Sequence, residues 1–308
     1  MTVAVHDDDQ PPRGPERRTR NRLLAVSVAI AAVAATAIIV ATTATAPAER
    51  VPAVAAASTS TAEPAETGAP TVPAISADEL AALPQAVYNA VIPGLLPYSG
   101  IDASAITHSY TAQSDVPLYG DDRGVAVAKI PARNFLDEPT VIVPVKVTGD
   151  WAFVLTPSRQ ATPSSVGGNA PAQTAGWVPL ASLTQNQVLD STVTISASAQ
   201  TLTIVGAGGA TEFAIGVGSD QTPTPTGTTG YLQARYDDPT QADYTIQLTS
   251  LHSSAADEPF GGTDGGLIGI HYNTTNTGEV SHGCIRLTYA ALSAVNALPL
   301  GTPIVITD

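Results

Sequence analysis

IGIHYNTTNTGEVSHGCIRL, running from Ile268 to Leu287, is the stretch on which the reading of this chain turns. It holds the single cysteine, Cys284, and two of the five histidines, His271 and His282. A free thiol has a pKa near ~8.5, so only a few per cent is thiolate at neutral pH. An imidazole brought beside it takes the proton and creates a thiolate–imidazolium pair. His282 shares a face with Cys284 if the segment is extended, but Gly283 between them permits a sharp bend. His271 ends a strand-like run and approaches across a loop from a neighbouring strand, so it is the favoured base. The Gly283 N–H, uncovered by any side chain, is expected to join the Cys284 N–H as an oxyanion hole, at roughly 3 kcal/mol per donor. A helix starting near Thr288 would add a modest dipole contribution to the thiolate.

The flanks read as β. Downstream, TYAALSAVNAL is helix-like, stopped by Pro299 and Gly301, and Pro303 to Thr307 is a last strand. Upstream, TVTIS from Thr192 and TLTIV from Thr201 alternate apolar and polar residues. Gly208-Gly209 turns the chain into Phe213 to Val217, and further strands are expected at Gly230 to Tyr236 and Tyr244 to Leu251. Before residue 190, short β-prone runs occupy Val116 to Tyr119, Gly124 to Ile130, Thr140 to Val147, Trp151 to Thr156 and Gly176 to Pro179. Trp151 and Trp177 are expected in a core, with a ligand groove as the alternative. The pattern from Ser76, with Leu80, Leu83, Val87 and Val91 on one face, predicts a short helical connector over 76–111.

The N-terminus has a different character. Arg13, Arg17, Arg18, Arg20 and Arg22 precede an uncharged run from Leu23 to Val40. With Ala41 to Ala46 it is long enough to cross a bilayer core of ~30 Å. The expectation is a signal-anchor over 23–46, with a cleaved signal peptide as the alternative. The basic tail 1–22 would stay cytoplasmic and the rest would lie outside a single-pass membrane anchor. Residues 47–75, rich in Ala, Pro, Thr and Ser, form an expected disordered stalk reaching about 30 Å at ~5–6 Å × √n.

Composition narrows the function. The 308 residues carry 27 acidic and 13 basic side chains, a net charge of −14, which argues against a basic nucleic-acid-binding face. One cysteine allows no intramolecular disulfide and no cysteine-based metal cluster.

SHGCIRL, preceded by IxIH, resembles the signature of the YkuD-type L,D-transpeptidase family. TPTPTG at Thr222 to Gly227 and the region Leu248 to Ser253 fit the same family. VKVTGDWAFVL followed by GWVPL resembles a bacterial SH3-like barrel. The resemblances imply a mainly β protein: an SH3-like small barrel over 112–189, then a YkuD-type β-sandwich catalytic domain with a short C-terminal helix over 190–308. The family implies that Cys284 attacks a tetrapeptide stem of peptidoglycan, that His271 accepts its proton, and that Gly283 and Cys284 hold the oxyanion. It further implies that Ser281, His282 and Tyr272 shape the pocket, and that Arg286 positions substrate. His252 is a candidate cleft residue. A diamino acid of a second stem would be the acceptor, carbapenem-type β-lactams the inhibitors, and no metal or organic cofactor is needed. Tyr272 stands where the family more often has glycine or serine, and the 271–281 loop is shorter than usual. The other readings are an L,D-carboxypeptidase, an inactive wall-binding protein, and a metallohydrolase using His271, His282 and Cys284.

Overall fold

The computed structural model describes residues 71–239 and 242–308. The expected membrane segment 23–46 lies outside them, and none of the described helices is long and apolar enough to cross a membrane.

Ser76 opens the first helix, α1 (Ala77–Ala82), with a reciprocal cap. Its hydroxyl accepts the Glu79 N–H at 3.2 Å, and Glu79 Oε2 accepts the Ser76 N–H at 2.8 Å. The helix ends at Ala82, short of the longer helical face expected through Val91. Pro84 drives Leu83 to ψ 145°, and Val91 is 47% exposed.

Eight strands follow before residue 190: β1 (Leu96–Pro97), β2 (His108–Thr111), β3 (Val116–Tyr119), β4 (Ala126–Ile130), β5 (Val143–Thr148), β6 (Trp151–Thr156), β7 (Thr174–Pro179) and β8 (Thr184–Val188). Strands β4-β3-β7-β6-β5 form one sheet with β1 added to β7, while β2 pairs with β8. Its core takes Ala86, Ile92 and Leu95 from the segment before the sheet, packed on Leu118, Ile142 and Val154. Trp151 and Trp177 are buried together with Tyr119, and the Arg123 guanidinium lies over the Trp177 ring at 4.5 Å. The tryptophans are core residues, as expected.

The second sheet has ten strands: β9 (Thr192–Ser196), β10 (Thr201–Gly206), β11 (Gly209–Ala214), β12 (Gly216–Gly218), β13 (Thr228–Tyr236), β14 (Ile246–His252), β15 (Leu267–Tyr272), β16 (Gly278–Ser281), β17 (Ile285–Leu287) and β18 (Pro303–Thr307). They run in the order β11-β10-β9-β18-β13-β14-β15-β17-β12-β16. Strands β9 and β10 are half-buried alternators: Val193, Ile195 and Leu202 are fully buried while their neighbours face outward. Helix α2 (Tyr289–Asn296) is capped by the Thr288 side chain and buries Ala291, Leu292 and Val295 against β15 and β17. The mainly β expectation holds.

The two sheets share a core. Tyr231 of β13 packs with Val143, Leu155 and Ala175 of the first sheet. Ser250 Oγ donates to Gln173 Oε1 at 2.7 Å, and the His252 N–H to the Ala172 carbonyl at 2.9 Å. Residues far apart in the chain therefore meet at the ends of β14 and β15.

Candidate active site

Strands β15 and β17 run parallel, with Ile270 opposite Ile285 and His271 opposite Arg286. Ile270 and Ile285 are fully buried in the core. Side chains alternate along a strand, so His271 and Arg286 project to the other face. One register step back puts Cys284 beside Gly269, and the Gly269 N–H donates to Cys284 Sγ at 3.4 Å. A Cβ added at Gly269 would sit 3.9 Å from that sulfur. Cys284 and His271 thus occupy diagonal positions on one face of this strand pair. Both line a cleft of about 450 Å³, together with Arg286, His282, Asp264 and Phe260.

The imidazole is oriented by its own strand. Its Nδ1 lies 2.9 Å from the Tyr272 carbonyl, which can only accept, so Nδ1 carries the proton and Nε2 keeps its lone pair. Burial holds the His271 pKa below its ordinary value, the Tyr272 carbonyl opposes that, and the Arg286 charge adds to it. Burial raises the Cys284 pKa, with Asp264 adding to the rise and the Gly269 N–H and Arg286 opposing it. Both shifts favour the neutral pair, with the proton on sulfur, over the expected thiolate–imidazolium pair. Iodoacetamide at pH 7 is accordingly expected to alkylate native Cys284 at least about tenfold more slowly than the urea-unfolded chain. Equal rates would show an ionised thiol.

Several expected roles change. The Gly283 N–H donates to Ser281 Oγ at 3.1 Å and is not free for an oxyanion. Ser281 Oγ in turn donates to the Cys284 carbonyl at 2.6 Å, and Thr224 of the TPTPTG loop donates to the Gly283 carbonyl at 2.8 Å. Gly283 has φ +114°, so glycine and these clamps shape the turn that presents the sulfur. Ser281 supports that turn. The three residues of β17, at ~3.3 Å each, separate Cys284 from α2 by ~10 Å, so the helix dipole does not reach the thiol. Tyr272 points away from the cleft, as alternation after His271 requires, and packs edge-on against Tyr244 at 4.9 Å. Its carbonyl is its contribution. His282 is exposed at the cleft rim with its ring edge-on to Phe260 at 5.7 Å. Among the described residues, no group of three His, Cys, Asp or Glu side chains is arranged to hold a metal ion.

His252 is not a cleft residue. It is 1% exposed, and Nε2 lies 2.7 Å from the Tyr88 carbonyl. Burial lowers its pKa to about 4, against the hydrogen bond to Tyr88 and with the Arg159 charge. The folded pKa is below the unfolded ~6.5, so the unfolded chain binds the extra proton between those values. Stability from this group is complete above pH ~6.5 and is lost as pH falls towards 4, on the order of 3 kcal/mol. In chemical denaturation at pH 7 and pH 4, His252→Gln is expected to lose less stability than the wild type. An equal loss would assign the acid sensitivity to other groups.

Residues that the sequence did not single out complete the cleft. Asp264, Gly269 and Phe260 come from β15 and the loop before it, and Tyr88 and Phe135 from far upstream. Buried Arg159 holds the start of that loop by donating to the carbonyls of Ser253, Ala256 and Asp257. Only the glycine-rich GGTDGG at Gly261 to Gly266 marked the loop in the sequence.

A half-buried thiol and an oriented neutral imidazole on one sheet face, opening to a cleft, are the equipment of cysteine-dependent acyl transfer. Residues 190–306 match the model of YkuD, the L,D-transpeptidase catalytic domain. Similar solved structures include an L,D-transpeptidase from Stackebrandtia nassauensis, at 17% identity over 39% of this chain and 56% of that one, TM-score 0.29. Another, from Mycobacterium smegmatis, has 17% identity over 55% and 91% of the two chains, TM-score 0.31. L,D-transpeptidase 3 from Mycobacterium tuberculosis, solved with a faropenem-derived adduct, has 15% identity over 55% and 91%, TM-score 0.32. The chain thus spans little more than half the length of the Stackebrandtia protein. The curated proteins contain no match to this chain.

Proposed function

We propose that this chain is a peptidoglycan L,D-transpeptidase that forms 3→3 crosslinks through a thioester on Cys284. The observation that carries the reading is the placement of Cys284 and the Nε2 lone pair of His271 on one face of the β15–β17 pair. As the sulfur attacks the carbonyl of the third residue of a tetrapeptide stem, its proton passes to His271 Nε2. That proton then leaves with the amine of the terminal D-alanine, and the thioester remains. An amine of a second stem's diamino acid captures the acyl group and frees the thiol.

With the Gly283 donor engaged by Ser281, the Cys284 N–H is the backbone donor left beside the reacting carbonyl. Arg286 has no salt bridge among the described residues, and its buried Nε has no partner. It is suited to a substrate carboxylate. Carbapenem-type β-lactams, which offer a strained acyl group to the same sulfur, would be inhibitors. The reading keeps residues 23–46 as the membrane anchor and sets the catalytic segment in the cell-wall space.

The test is mass spectrometry of tetrapeptide muropeptides incubated with the full chain. Dimers lacking one terminal D-alanine are expected. Tripeptide alone would mean hydrolysis, and unchanged substrate would contradict the assignment.

A further inference from the structure

Two residues of the cleft wall, Tyr88 and Phe135, come from outside the matched segment. They line the cleft beside Tyr236, Ile246 and Leu248, and their two rings stand 4.8 Å apart, tilted by 59°. Tyr88 is held firmly. Its carbonyl faces His252 Nε2 at 2.7 Å, and Ser158 Oγ donates to the preceding Val87 carbonyl at 2.8 Å. Gly265 packs on this backbone so closely that a Cβ there would stand 2.9 Å from Asn89 Cα and 3.1 Å from the Tyr88 oxygen. Gly265 also has φ +71°, so the contact requires glycine twice over. Phe135 is 43% exposed, an aromatic ring left open at the cleft mouth.

Asp264 adds a carboxylate to the same cleft. Its Oδ1 accepts the Gly266 N–H at 2.8 Å, and Glu258 is pinned behind it by the N–H groups of Gly265 and Gly266 at 3.0 and 3.2 Å. Burial, and then the neighbouring Glu258, raise the Asp264 pKa to about 6, which suits a group that accepts a proton near neutrality. An aromatic and aliphatic wall with a carboxylate complements an alkyl chain ending in ammonium. The methylenes cover apolar surface, and the cation meets a ring face and an anion. The Arg286 guanidinium, also in the cleft, repels such a cation.

We propose that Tyr88 and Phe135 of the upstream segment, together with Asp264, form the acceptor side of the cleft and select a primary amine carried on an aliphatic side chain. This rests on the transpeptidase reading above and extends it. The bound ammonium gives one proton to the Asp264 carboxylate, which later releases it to solvent. The neutral nitrogen attacks the thioester carbonyl carbon; the C–N bond forms, the C–S bond breaks, and the second proton passes through His271 to the departing sulfur.

The experiment uses the full chain, a tetrapeptide muropeptide donor, and two acceptor probes, Nα-acetyl-lysine amide and glycine amide. It reads the ratio of aminolysis to hydrolysis from the common thioester, a ratio that loss of folded protein does not move. The wild type should favour the lysine probe about tenfold. Phe135→Ala and Asp264→Asn should each lower the lysine ratio at least about fivefold, and Tyr88→Phe should retain it. Unchanged ratios, or equal use of the two amines by the wild type, would overturn the acceptor assignment while leaving the transpeptidase standing. Absence of any Cys284 thioester would overturn both.

Discussion

Replacing Cys284 by alanine is expected to abolish acyl-enzyme formation and to lower turnover by about 10⁴-fold or more, the scale seen when a covalent nucleophile is removed. Serine should fare little better. Its hydroxyl is far harder to deprotonate than a thiol, and the His271 base is weaker than an ordinary imidazole because burial lowers its pKa. The fold should survive either change. The hydrogen bond given to the sulfur comes from the Gly269 N–H, at a long 3.4 Å, and Cys284 is only half-buried. The check is a steady-state rate with muropeptide donor alongside a thermal melt. An inactive Cys284→Ala with an unchanged melting temperature supports the account; retained turnover would show that another group carries the acyl chain.

His271→Gln should lower the acylation rate about 10²- to 10⁴-fold, because proton transfer out of the thiol loses its acceptor. The pH profile sharpens the test. His271 must be neutral to act, and its pKa lies below the ordinary ~6.5. Wild-type acylation should therefore fall only as pH drops below that ordinary value, with a flat region through neutrality. The Cys284 pKa is raised, so the residual rate of His271→Gln should instead climb with pH into the alkaline range as thiolate accumulates. A variant that keeps the wild-type acid limb would assign the base to another residue.

How much of this was visible in the sequence depends on how local the cause is. Val193 and Ile195 announce a half-buried strand because alternation is written in five residues, and the apolar run of Trp151–Thr156 announces one buried on both faces. The Thr288 cap and the β15 run that carries His271 are equally local. Pro84 is local as well: it stops α1 although the apolar spacing continues through Val91. The missing part is long-range. Whether the Gly283 N–H is free depends on the Ser281 hydroxyl, and the turn itself on Thr224, fifty-nine residues upstream of Gly283. His252 resembles a cleft residue until the Tyr88 carbonyl arrives from a distant segment to bury it. Nothing near Tyr88 or Phe135 hints at a role, because the shared core of two sheets brings them to the cleft. Tyr272 is settled locally, since strand alternation after His271 turns it away from the cleft.

Most direct for the central idea, a cysteine that carries acyl groups under the control of a neutral histidine, is a rapid acid quench of the full chain with excess tetrapeptide donor, followed by peptide mass mapping. The account predicts a stem fragment lacking D-alanine on the peptide that contains Cys284, accumulating at pH 7 and depleted in His271→Gln. A stem fragment on any other residue, or product formed while Cys284 stays unmodified throughout turnover, would contradict it.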